Sequence, residues 1–169
     1  MKKLLVVVDM QNDFITGALG SADAVSIIPT VRAEIEKRGA QGWEIAYTRD
    51  THAQDYLSTQ EGKRLPVEHC VKGTHGWEIA DGLYVGGKVF DKPVFGSCEL
   101  GEYVKAGNYT AVELIGVCTD ICVISNALLI KAYAPETRVS VKAEACAGVT
   151  QESHQTALKA MQGCQIDIE

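Results

Sequence analysis

The stretch Gly116, Val117, Cys118, Thr119, Asp120, Ile121, Cys122, Val123 sets two cysteines where a strand-like run meets a helix-like one. Residues 111–115 read as a buried strand, and residues 124–131 carry the apolar side chains and alanine of a helix. A cysteine in the first turn of a helix meets unpaired backbone N–H groups and the positive end of the helix dipole. That setting is expected to lower the thiol pKa and favour the thiolate, which is the nucleophilic form. The same N–H groups can receive an oxyanion. An acid and a cation would complete a covalent catalyst, the cation stabilising the thiolate and the carboxylate moving its proton. Asp9 and Lys92 are the candidates, and spacing alone does not choose between Cys118 and Cys122 as nucleophile. Taken singly, each has a plainer role: Asp9 capping a turn, Lys92 solvated in a loop, Cys122 a small buried hydrophobe.

Those groups must be delivered by separate elements. Residues 4–8 form a continuous apolar run ending at Asp9 and read as a central parallel strand. A helix over residues 21–38 follows, capped by Ser21 or Asp23 and ended by Gly39 and Gly42. Residues 43–48 form a second strand leading into Asp50 and His52, and residues 85–90 a third leading into Lys92. A short helix over 99–106, a fourth strand over 111–115 and a helix over 120–133 come next. They are followed by a strand over 137–141, a helix over 151–162 and a short edge strand over 165–168. Residues 53–75 are polar without clear periodicity, and long loops of that kind are often functional. Strands alternating with helices predict a three-layer α/β/α fold with a mainly parallel, doubly wound sheet of five or six strands. Ligands then bind beyond the C-terminal ends of the strands. Asp9, Asp50, His52, Lys92 and the Cys118–Cys122 segment all fall at that edge.

The length of 169 residues fits one domain spanning 1–169 with a full core. Net charge is −6 with no basic run, which argues against a nucleic-acid partner. The apolar run after Lys3 stops at Asp9, too short for a secretory signal or a membrane span. Six cysteines without C-x-x-C pairing point to a reduced, cytoplasmic protein with no disulfide framework.

A metal signature lies between the second and third strands. Asp50 and His52, two apart on an extended segment, project to one side, and His69 comes later. Carboxylate plus imidazoles suit zinc, iron or manganese, although exposed histidines on a polar loop are the plainer reading.

Three motifs now stand in order: Val7-Val8-Asp9-Met10-Gln11-Asn12-Asp13-Phe14, Asp91-Lys92-Pro93-Val94-Phe95-Gly96-Ser97, and Gly116 to Val123. They resemble V-D-x-Q-N-D-F, the catalytic-lysine segment and G-x-x-T-D-x-C-V of the isochorismatase-like cysteine hydrolases. The resemblance covers nearly the whole chain. It implies Cys122 as nucleophile, Asp9 as proton-transferring acid and Lys92 as cation. It further implies a cis peptide before Cys118, an oxyanion hole from the N–H groups of Cys118 and Cys122, and Phe14 lining the pocket, with Phe95 facing it. Asp50-x-His52 followed by His69-Cys70-x-x-Gly73-Thr74 resembles the metal site of the nicotinamidases within that family, where the metal holds the pyridine nitrogen. Glu61 is the candidate fourth ligand, directly or through water. His75 lies outside the matching pattern, and His154 reads as a packed or surface residue of the last helix. A tryptophan that some nicotinamidases carry before the metal histidine is replaced here by Leu65, Pro66 and Val67.

The resemblance thus implies a metal-assisted amidohydrolase that converts nicotinamide to nicotinate and ammonia through a thioester, a step of NAD salvage. The expected cofactor is one divalent ion, zinc first and iron or manganese as alternatives. The expected partner is a small-molecule amide, with neither nucleic acid nor membrane, and a homo-oligomer is compatible with the chain. The rival readings are another small carboxamide, ureido or carbamoyl substrate on the same machinery, and a non-catalytic binding protein, which has no need of an activated thiol.

Overall fold

The computed structural model describes residues 1–169. Six parallel strands form one sheet: β1 (Lys3–Val8), β2 (Glu44–Asp50), β3 (Lys88–Lys92), β4 (Ala111–Val117), β5 (Arg138–Ala147) and β6 (Asp167–Ile168). Their order is β3-β2-β1-β4-β5-β6, so the chain winds outward in both directions from the β1/β4 pair. The expected doubly wound sheet is present, and each strand is parallel to its neighbours. No helix is long and apolar enough to cross a membrane.

The period-two alternation of a strand divides the core into two halves. Leu4, Val6 and Val8 of β1 pack with Leu100, Val104, Ala127, Ile130, Leu158 and Met161. Those residues come from α5 (Cys98–Gly107), α6 (Ile124–Tyr133) and α7 (Gln151–Gly163). Leu5 and Val7 pack on the other face with Ala24, Ile27, Val31 and Ile35. These belong to α2 (Ala22–Ser26), the Ile27 junction and α3 (Ile28–Ala40). β1 is covered on both faces, which is why its sequence is apolar throughout rather than alternating.

Several boundaries differ from those read in the sequence. The helix expected over 21–38 is two helices meeting at Ile27, because Pro29 lies at the start of α3, where its missing N–H has no partner to lose. The third strand starts three residues late, after Gly86 and Gly87 at φ +104° and +112°, and runs through Lys92. Asp50 likewise ends β2 rather than following it. The fifth strand continues to Ala147, six residues past its expected end. The polar segment 53–75 is not featureless: it holds a 3-10 turn at Tyr56–Ser58 and α4 (Gln60–Arg64), capped by Thr59. A four-residue helix, α1 (Asn12–Ile15), follows β1. The helix expected over 120–133 begins with a π-helical turn, Thr119–Val123, and becomes α-helical only at Ile124.

Val8 of β1 and Gly116 of β4 are register partners in close approach. Gly116 has φ +117°, and a Cβ there would overlap the Val8 carbonyl oxygen. Gly116→Ala is therefore expected to lower stability by about 1–3 kcal/mol or more, from backbone strain and overpacking together. A urea unfolding midpoint equal to that of the unsubstituted protein would refute this close approach.

Candidate active site

Four strand ends build the site. Asp9 directly follows β1 and has φ +48°, a conformation costly for a residue other than glycine, so the chain turns sharply there. Its carboxylate is fully buried and accepts a hydrogen bond from the Thr48 hydroxyl of β2 at 2.6 Å. Lys92, the last residue of β3, is 1 % exposed. Its ammonium lies 2.7 Å from Asp9 Oδ2, 3.3 Å from Asp50 Oδ1 and 3.4 Å from Cys122 Sγ. One cation thus touches both carboxylates and the thiol, and the solvated-loop reading of Lys92 does not hold.

The charges follow from that packing. Burial alone would lower the Lys92 pKa, but Asp9, Cys122 and Asp50 raise it, so the ammonium keeps its proton. Burial raises the Asp9 carboxyl above its usual range, with Lys92 pulling the other way. Asp50 is also buried, yet bonds from His52 and His69 and the Lys92 charge hold it well below the usual carboxylate range. The expected lowering of the thiol pKa is overturned. Burial pushes Cys122 well above its ordinary value and the Asp9 charge adds to this, while Lys92 only partly offsets them. Burial thus favours the neutral Cys122 thiol, which shares the Lys92 ammonium with the Asp9 carboxyl. Cys118 is pushed up to about 12, by burial and by Asp120.

The second group lies on the far side of Asp50. His52 Nε2 is 2.9 Å and His69 Nε2 3.3 Å from Asp50 Oδ2. Glu61 Oε1 is 3.8 Å from both ring nitrogens. One ligand atom from each of Asp50, His52, Glu61 and His69 lies within 4.8 Å of the others, which suits a divalent metal. The other His69 nitrogen, Nδ1, is 2.8 Å from the Val67 carbonyl and donates to it, so Nε2 is the nitrogen turned to the cluster. Burial would lower the His69 pKa, but the bond to Asp50 raises it. The 53–75 segment reaches the sheet because His52 and Val71 form a parallel bridge, with His52 N–H donating to Cys70 and Lys72 N–H to His52. Glu61 arrives on α4. His75 stays outside, exposed beside Glu78.

A cavity of about 510 Å³ opens over these groups. Cys122, Cys118, Asp50, Glu61 and His69 line one part of it, and Phe14, Leu65, Phe95 and Val149 are among its apolar walls. Both expected pocket aromatics are there. The Val117–Cys118 peptide is cis. Within the π-helical turn the Cys118 carbonyl accepts from Ile121 and Val123, skipping the Cys122 N–H between them. The Cys118 N–H donates to no group of the protein. A buried thiol on the wall of an apolar cavity, in contact with a cation that also holds a carboxylate, and a neighbouring N–H without a partner can open a carbonyl compound by nucleophilic attack.

Two supporting residues escape a search for reactive side chains. Gln11 is fully buried; its amide accepts from the Asp50 N–H at 2.7 Å and donates to the Asp50 and Trp77 carbonyls, pinning the ligand strand end. Asp13 Oδ2 accepts from the Cys70 N–H at 2.8 Å and so anchors the His69 loop. Both lie in the first motif, which was the one signal available for them.

The six-strand parallel sheet carries a carboxylate, an ammonium and a thiol at its C-terminal edge, and the chain belongs to the Isochorismatase domain family, matching it over residues 3–168. Nicotinamidase of Schizosaccharomyces pombe is 27% identical over 204 residues, covering 97% of this chain and 91% of that protein. The pyrazinamidase of Pyrococcus horikoshii, solved in complex with zinc, is 29% identical with a TM-score of 0.87, covering 100% of this chain and 99% of that one. The pyrazinamidase/nicotinamidase of Streptococcus mutans is 28% identical, also with a TM-score of 0.87, covering 99% and 100%.

The two charges beside the thiol act in opposite directions, which yields a paired prediction. Lys92→Ala removes the cation, so the pH at which Cys122 becomes reactive moves up. Asp9→Asn removes the anion, so it moves down. Peptide-resolved alkylation rates against pH measure both, and shifts of the same sign would contradict the arrangement.

Proposed function

We propose that the protein is a metal-assisted cysteine amidohydrolase whose substrate is nicotinamide, hydrolysed to nicotinate and ammonia. The observation that carries this reading is the single Lys92 ammonium in contact with Asp9, Asp50 and Cys122, because it couples a nucleophile and its proton acceptor to a metal-ligand cluster in one cavity. The named activities of the S. pombe and S. mutans relatives support it.

Cys122 Sγ attacks the amide carbon as its proton passes to Asp9. The neutral resting thiol means that proton transfer accompanies attack, so Asp9 serves as general base and then as general acid. Lys92 keeps its charge throughout and offsets the negative charge shared by Asp9 and sulfur. The N–H groups of Cys118 and Cys122 hold the carbonyl oxygen as it becomes an oxyanion. Asp9 returns the proton to the departing ammonia, leaving a thioester on Cys122. A water that loses its proton to Asp9 then cleaves the thioester, releasing the acid and restoring the thiol.

Asp50, His52, His69 and Glu61 would hold the ion, and their donors fit one: the His69 tautomer is set by Val67, and Asp50 stays ionised. Two imidazoles with carboxylates favour zinc, in keeping with the zinc in the Pyrococcus relative. When bound, the ion supplies a Lewis-acid anchor for a ring nitrogen. Phe14, Leu65 and Phe95 supply apolar wall against which an aromatic ring can pack. Neutral, apolar walls fit an uncharged aromatic amide. All six cysteines are free, in keeping with a reducing, cytoplasmic setting and a place in NAD salvage.

Ammonia release from a panel of nicotinamide, pyrazinamide, benzamide and carbamoyl compounds tests the reading. Nicotinamide should be turned over, and Cys122→Ala should lose about 10³-fold or more in kcat/KM while remaining folded. A chelator, or His52→Ala, should reduce turnover of nicotinamide far more than it lowers Tm, because the cluster sits at the edge of the sheet. Carbamoyl substrates turned over in preference to nicotinamide would overturn the substrate assignment, and an active Cys122→Ala protein would overturn the nucleophile.

A further inference from the structure

The Cys118 N–H has no partner in the protein, so no bond at that N–H aims it. Its direction must be set by the residues on either side. Upstream, the chain is held by the end of β4. Downstream stands Thr119, fully buried, and its side chain leaves the turn altogether. Thr119 Oγ1 is 2.7 Å from Nδ1 of His154, which lies in the first turns of α7 and is 8 % exposed. The Thr119 carbonyl meanwhile accepts from the Ile124 N–H at the start of α6. Thr119 is thus clamped between two helices, its main chain to α6 and its side chain to α7.

Two further observations put His154 against this turn by construction. Asp120, the next residue, accepts a hydrogen bond from the Val149 N–H at 3.0 Å, tying the turn to the β5–α7 connection. Gly148 in that connection has no room for a side chain: a Cβ would lie 2.9 Å from His154 Cβ and 3.0 Å from Asp120 Oδ1. The same connection supplies Ala147, Gly148 and Val149 to the cavity wall. Burial holds His154 below its ordinary imidazole range even with Asp120 and Asp23 nearby, so the ring is neutral at neutral pH.

We propose that His154 is a positioning residue for the oxyanion turn, holding Thr119 through the buried Nδ1–Oγ1 hydrogen bond so that the preceding Cys118 N–H points into the cavity. This inference rests on the amidohydrolase reading above. His154 does not touch substrate; it acts through Thr119. A donor that is mis-aimed loses its effect chiefly where charge develops on oxygen, so the cost falls on the transition state and not on substrate binding.

The experiment compares Thr119→Val and His154→Leu, which remove the bond, with Thr119→Ser and His154→Asn, which keep a polar atom at its place. Asparagine sets its amide close to the position of Nδ1, so it separates the bond from the rest of the ring. The first two variants should lose ~10- to 100-fold in kcat on nicotinamide with KM within about twofold, and the second two should recover most of it. The Thr119→Val/His154→Leu double variant should be no worse than the more impaired single variant, because both cut one link. Unchanged kcat in Thr119→Val, equal losses in His154→Asn and His154→Leu, or losses confined to KM would overturn the proposal. Should Thr119→Val fail to fold, the His154→Asn and His154→Leu pair makes the same comparison. Amide hydrogen exchange at residues 118–122 separates this proposal from the functional one. If the unsubstituted protein releases no ammonia from nicotinamide, the functional reading fails. Exchange that is faster in His154→Leu and restored in His154→Asn still supports the positioning role, and identical exchange in all variants ends it.

Discussion

A lysine ammonium with almost no exposure to water is the constraint around which the site is arranged. Moving such a charge out of water costs several kcal/mol even after relaxation, and it survives only with close opposite charges. Lys92 has two, Asp9 at 2.7 Å and Asp50 at 3.3 Å. The attraction is mutual: Lys92 lowers the pKa of both buried carboxyls, against the burial that raises them. Removing one member would leave the others uncompensated, and a broken buried pair costs about 3–5 kcal/mol. The thiol enters this group as its one neutral member. Its elevated pKa follows from the same dry surroundings that keep the ion pair tight.

The scaffold meets that demand with rigid elements. Asp9, Asp50 and Lys92 sit at the ends of three adjacent strands in the order β1, β2, β3, and Cys122 follows β4 on the other side of β1. Strand ends in a sheet buried on both faces move little, which suits contacts that must hold within a few tenths of an ångström. The parts carried on loops are tied back one by one: Gln11 to the Asp50 main chain, Asp13 to Cys70, His52 to the strand of residues around Val71, Thr119 to His154. The larger openings are left to apolar side chains at the cavity rim, where precision matters less.

The two halves of the site share Asp50. One of its oxygens faces Lys92 and the other faces two imidazoles. A change in the charge of the metal-ligand cluster is therefore felt at Lys92 and, through it, at the thiol. The two groups of side chains are joined by one carboxylate, without any moving part.

Much of this was legible in the amino-acid order, because it depends on local chemistry. Apolar runs of five or six residues specify buried parallel strands, and the strand-helix alternation specifies the layers. The three motifs single out Asp9, Lys92 and Cys122, which the fold brings together, and the Asp50-x-His52 spacing puts two candidate ligands on one side of an extended chain. What failed was decided at a distance. Lys92 and Asp50 are strand residues because their neighbours across the sheet extend the pairing, which no local pattern records. The thiol pKa was misjudged because the helix terminus is a local feature, whereas the burial and the Asp9 charge that outweigh it come from residues far along the chain. The clamp between Thr119 and His154 spans 35 residues and joins two side chains that each look ordinary alone. Composition and spacing determine which groups can react and which elements carry them. Only the packed fold sets their separations and removes the water between them, and with those their charges.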